Sequence, residues 1–188
     1  MFKYLKRVLL AVILCVALLT GYSFAGQDDG FGSAQKIESQ HFTIYYAPGL
    51  DLDALARQLD IRPLDKLISG SSYKNDLGGM IDTLFSQVGD ILDMQLYDFH
   101  GTIKICRDVK QIDGIYKNLF NTEPQSHSFY VNDLNTDYVS AEYFSREVLG
   151  HEIAHFITSR YFVVLPSPKI QEVLACFAEY QLRKSYSK

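Results

Sequence analysis

Residues 148–157 read Val148-Leu149-Gly150-His151-Glu152-Ile153-Ala154-His155-Phe156-Ile157, and the organisation of the chain follows from how this stretch is read. Composition from Glu142 to Arg160 is helical, and Phe144, Val148 and Leu149 lead a helical run into His151. Residues four apart on a helix share a face, so His151 and His155 converge on one point. Two neutral imidazoles at that spacing suit zinc, which accepts such nitrogens without demanding a rigid geometry. Glu152 projects beside them, where a carboxylate can take a proton from an attacking water and hand it to a leaving group. With 5 His and 7 Glu among 188 residues, the pattern is expected by chance about 0.005 times.

A catalytic zinc takes three protein ligands and keeps one position open. His155 is the last histidine in the sequence, so a carboxylate is the expected third ligand. Glu172 stands 17 residues beyond His155, near the start of a helix that Ser167 can cap, with Pro168 at its first position. That helix is expected to end near Arg183. Residues 159–169, with Pro166 and Pro168, can make the reversal that brings the two helices together. Glu179, two turns further along the same face, is the runner-up.

Outward from this pair the sequence reads as one mixed α+β domain over residues 26–188, without repeats or a dividing linker. His41 to Ala47 alternates with Phe42, Ile44 and Tyr46 on one face, the pattern of a half-buried strand. Asp51 to Leu59 has helical spacing, and a loop is expected over Gly70 to Tyr73. Ile81, Leu84, Phe85, Val88, Ile91 and Leu92 define one buried helical stripe. Thr102 to Arg107 reads as a strand with Ile103 and Ile105 inward and Lys104 outward, followed by a helix from Val109 to Leu119. Asn121 to Ser126 is a polar loop, and Phe129 to Val131 and Tyr138 to Ser140 are extended. Gln27 to Ser33, rich in Gly and Asp, reads as a flexible leader.

Residues 1–25 carry Lys3, Lys6 and Arg7, an apolar run from Val8 to Leu19, and small residues at Ser23 and Ala25. This is the pattern of a cleaved secretory signal, with an uncleaved membrane anchor as the alternative. Export to the periplasm or the medium is therefore expected. Removal of residues 1–25 takes three of the 18 basic residues and none of the 22 acidic ones, leaving 15 against 22, a net charge of −7. An acidic protein of this kind is a poor partner for nucleic acid or anionic lipid, and no stable membrane association is expected once the signal is gone. Cys106 and Cys176 remain, read as ordinary buried thiols rather than a disulfide framework.

His151-Glu152-Ile153-Ala154-His155 followed by Pro168-Lys169-Ile170-Gln171-Glu172-Val173-Leu174-Ala175 resembles the gluzincin metallopeptidases, the peptidase MA-like zincins. The resemblance covers Tyr138 to about Gln181, and more loosely the strand at His41 to Ala47 and the helix at Ile81 to Leu92. It implies a zincin-like fold: a small mixed sheet packed on an active-site helix, with a C-terminal helix carrying the third ligand. It implies zinc at His151, His155 and Glu172, Glu152 as general base, and a peptide or protein substrate. It also implies that Tyr138-Val139-Ser140 is the sheet edge along which an extended peptide pairs. The sequence departs from the family in having Cys176 where many members hold an aspartate that buttresses a histidine ligand. Val173 stands where a glycine is frequent, and only 16 residues follow Glu172.

Zincins often steady the developing oxyanion with a Tyr or His; Tyr180 is the first candidate here, ahead of Tyr161 and His127. His41 and His100 read as surface or edge residues, and Glu142 and Glu147 as serving the first turns of the active helix. The reading reached is an exported zinc peptidase. Two rivals are a gluzincin-like domain of the cell envelope that binds a peptide or partner without cleaving it, and a zinc hydrolase of non-peptide amides.

Overall fold

The alternating and helical patterns resolve into an α+β arrangement of one five-stranded mixed sheet and five helices. The computed structural model describes residues 29–61, 77–124 and 126–185. The expected signal 1–25, the start of the leader and the loop at 70–73 lie outside the described residues. In chain order the elements are β1 (Gln35–Glu38), β2 (Phe42–Tyr46), α1 (Leu52–Leu59), α2 (Leu77–Leu92), β3 (Gly101–Cys106) and α3 (Val109–Phe120). They continue with β4 (Ser128–Val131), a 3-10 turn (Asn132–Leu134), β5 (Thr136–Ser140), α4 (Arg146–Tyr161) and α5 (Pro168–Ser185). Among the described residues no helix is long and apolar enough to cross a membrane.

The sheet order is β1-β2-β3-β5-β4. β2, β3 and β5 run parallel, and the two outer strands are antiparallel to their neighbours. Tyr138, Val139 and Ser140 are therefore not at an edge. They lie in β5, paired with β3 on one side and β4 on the other, and all three are buried. The edge on this side of the sheet is β4, which Asn132 to Asn135 fold back against β5.

Alternation sends Phe42, Ile44, Ile103, Ile105 and Val139 to one face, where α2 and α4 cover them with Ile81, Leu84, Val88, Leu149, Ile153 and Phe156. The other face is covered as well, by Ile112 and Ile115 of α3 together with Phe31. Lys104, expected to point outward, instead lies over the rings of Phe31 and Tyr138 and pairs with Asp29. The expected leader is thus tied down from Asp29 onward, because a sheet covered on both faces needs something over Tyr138 and Cys106. His41 is buried rather than a surface residue, stacked on Phe85 with its Nδ1 3.3 Å from the Phe99 carbonyl.

α4 begins at Ser145, whose side chain accepts from the Val148 amide. Glu142 lies before this helix; its carboxylate accepts from the Val109 amide at the start of α3 instead. α4 packs on α5 more extensively than any other pair of elements packs. Small residues make the close approach: Ala175 and Ala178 on α5 are fully buried, and Gly150 on α4 faces Leu182. A Cβ at position 150 would stand 2.2 Å from Leu182 Cδ1.

Gly150→Ala should therefore destabilise the protein by about 1–3 kcal/mol in urea unfolding, despite the better helix propensity of alanine. Gly150→Ala combined with Leu182→Ala should cost clearly less than the sum of the two single substitutions. Additive costs would show that the two helices do not meet there.

Candidate metal centre

The contact between α4 and α5 brings three side chains of the expected set to one point. His151 and His155, one turn apart on α4, place their Nε2 atoms 3.3 Å from each other. Glu172 of α5 reaches both: one carboxylate oxygen is 3.5 Å from His151 Nε2, and the other is 3.4 Å from His155 Nε2. The three donors form a group close enough to hold a metal ion.

Glu179 does something different. Its carboxylate is 3.4 Å from His151 Nδ1, the nitrogen on the far side of the ring from the other ligands. A carboxylate there would favour the proton on Nδ1 and leave the Nε2 lone pair for an ion. Arg183, one turn further on, bonds to the same Glu179 carboxylate and holds it in place. An acidic side chain thus meets His151 Nδ1 from seven residues after Glu172, whereas Cys176 stands four after it. Cys176 is exposed, not buried, and lies near enough to His151 and Glu179 to form a second possible donor group. Cys106 is buried on the opposite face of the sheet, and the two thiols are unpaired with each other.

The ligands sit at the side of a cleft of about 420 Å³ lined by Ser128, Tyr130, Glu152, Leu165, Gln171 and the three ligands, among others. Burial lowers the His155 pKa to about 4, with His151 adding to the effect. His155 is thus neutral at neutral pH, the form that binds metal. Glu152 is buried, and burial raises its pKa to about 7 against the opposing hydrogen bond from Ser128. That bond, from Ser128 Oγ to Glu152 Oε1, is 2.6 Å long. It joins the start of the edge strand β4 to the carboxylate on α4. Asp137 of β5 is wholly buried beneath α4 and its carboxyl is pushed well above the usual range, by burial first and then by the charge of Glu152.

Sequence reasoning missed Ser128 and Asp137. Asp137 is the only acidic residue of β5, and an acid within an otherwise buried strand was the available signal. Tyr130 packs at a tilt on Phe156, bonds through its hydroxyl to Ser159 and lines the cleft. Tyr180 does not line the cleft; it is more than half exposed on another face of α5. Tyr161 is exposed and also outside it, and His127 stacks on Tyr143. No family model matches the chain, and no curated protein matches its sequence.

Two outcomes follow from this geometry. Glu172→Ala should abolish tight binding of a divalent ion in equilibrium dialysis, and Glu179→Gln should weaken it by about 10–100-fold while leaving the stoichiometry unchanged. Equal losses from both would mean that Glu179 is itself a ligand. The second outcome concerns protein stripped with chelator. The Glu152 pKa is raised on folding, so its contribution to stability is complete below about pH 4.5 and is lost as pH rises towards 7. His155, lowered on folding, acts with the opposite sign as pH falls from 6.5 towards 4. Comparison with Glu152→Gln removes the histidine contribution. The variant should gain on the wild type between pH 4.5 and 7, by on the order of 2–3 kcal/mol in urea unfolding.

Proposed function

We propose that the chain is an exported, zinc-dependent peptidase of the gluzincin kind. The observation that carries this reading is the donor group itself: one donor atom each of His151, His155 and Glu172 lies within 4.8 Å of the others, and the two Nε2 atoms are 3.3 Å apart. Zinc bound tetrahedrally at 2.0–2.2 Å spaces its donors about 3.3–3.6 Å apart. Two neutral imidazoles and one carboxylate are also a donor set that zinc hydrolases use, and such a set would leave a coordination position for water. When bound, zinc supplies Lewis-acid polarisation of water and of a carbonyl oxygen.

The chain's own residues support the rest. Glu152 is adjacent to His151 and, with its pKa raised to about 7, is poised to take a proton at neutral pH and return it to the departing amine. Ser128 holds one oxygen of that carboxylate, leaving the other for the proton. A peptide rather than a small amide is favoured by the edge strand β4. Ser128 and Tyr130 line the cleft from that strand, whose free edge offers backbone groups to an extended chain. A zincin-like assignment accords with this layout, a mixed sheet with an antiparallel edge strand beside a metal-bearing helix. Export rests on the sequence pattern of residues 1–25.

Glu152→Gln should retain one zinc per chain while turnover of a peptide library falls by about 10²–10⁴-fold. A variant with full activity would remove Glu152 from the mechanism. Absence of turnover by the zinc-loaded wild type would favour the partner-binding alternative.

A further inference from the structure

Exposed apolar surface is unevenly distributed. Of the twelve large hydrophobic residues exposed among the described residues, nine fall between positions 161 and 180. They form two connected features. The loop joining α4 to α5 carries Phe162, Val163, Val164 and Leu165 in succession, with Val163 fully exposed and Val164 81% exposed. On α5, Ile170, Val173, Phe177 and Tyr180 recur at helical spacing and are each 45–61% exposed. That stripe lies about 130° around the helix from Glu172 and Glu179, so it is separate from the face that meets the histidines. An apolar surface of this extent marks a contact with something else.

Charge indicates what that something is. Residues 153–188 hold five basic residues against two acidic ones, +3, whereas the preceding 152 hold 13 against 20, −7. The two acidic residues, Glu172 and Glu179, are both turned to the site histidines. Lys169 stands at the beginning of α5 beside the loop, and Lys184 lies in its last turn. Cations at both ends of an apolar helical stripe, with Tyr161 and Tyr180 at its margins, match the headgroup and acyl layers of an anionic bilayer. We propose that the 161–184 hairpin is a membrane-seating surface, with Phe162, Val163 and Val164 inserted among acyl chains and α5 lying in the interface. The metal-site face of α5, a little over a third of a turn away, is then directed sideways and away from the membrane. This departs from the expectation of no membrane association drawn from net charge. It holds whether or not the site is hydrolytic.

The chain contains no tryptophan, so Val163→Trp and Phe177→Trp each install a single reporter in the full chain. The reporters read their own surroundings, independently of any insertion by the N-terminal segment. With vesicles of phosphatidylcholine and phosphatidylglycerol, emission from both should move to shorter wavelength and be quenched by about half or more by brominated acyl chains. The response should be several-fold weaker with phosphatidylcholine alone. Unchanged emission at both positions would overturn the proposal. So would emission already at short wavelength without vesicles and dependent on protein concentration, which would place a second copy of the chain on this face. An equal response to neutral vesicles would overturn the anionic preference.

Discussion

Everything at the candidate centre depends on how closely α5 approaches α4. The two imidazoles belong to α4 and would be near each other in any helix of this sequence. The carboxylates that complete the group belong to α5, and they arrive because Ala175 and Ala178 are small and Gly150 makes room for the Leu182 side chain between the helices. One helix contact therefore fixes two functions at once: Glu172 meets both Nε2 atoms, and Glu179 meets the Nδ1 of His151. The stabilising contact and the ligand geometry are the same contact, so a change that loosens the packing also spreads the donors.

Burial sets the electrostatics around this group. α4 runs across the sheet with Ile153, Phe156 and Ile157 against it, which carries Glu152 and His155 into a region from which water is largely excluded. The low polarity holds His155 neutral and pushes Glu152 upward, and Asp137 beneath them is pushed upward too. A divalent ion at the ligands would draw the Glu152 carboxyl back down by its charge. The arrangement is thus one in which metal and proton compete for the same small space.

The sequence made legible what depends on local spacing. The helix carrying His151 and His155, the stripe from Ile81 to Leu92 and the alternation of Phe42 and Ile44 follow from chemistry within a few residues of one another. Glu172 was within reach because the proline-containing turn limits where the next helix can lie. What escaped depends on contacts across the sheet. Which strand is the edge is settled by β4 folding back outside β5, and nothing in Tyr138-Val139-Ser140 encodes that. Ser128 and Asp137 acquire meaning only when β4 and β5 lie under α4. Tyr180 shares a helix with Glu172, but its position eight residues on places it on a different face. Net charge is a coarse guide for a related reason, since the acidic total averages over a C-terminal stretch that is basic and carries most of the exposed apolar side chains among the described residues.

The central claim is that His151, His155 and Glu172 together hold one ion, with Glu179 behind His151 rather than on the metal. Anomalous diffraction at the zinc edge, from crystals of the zinc-loaded protein, tests it most directly. The account predicts one strong peak per chain, about 2.0–2.2 Å from His151 Nε2, His155 Nε2 and a Glu172 oxygen. A peak at His151 Nδ1, Cys176 and Glu179, or no ordered zinc at all, would contradict it.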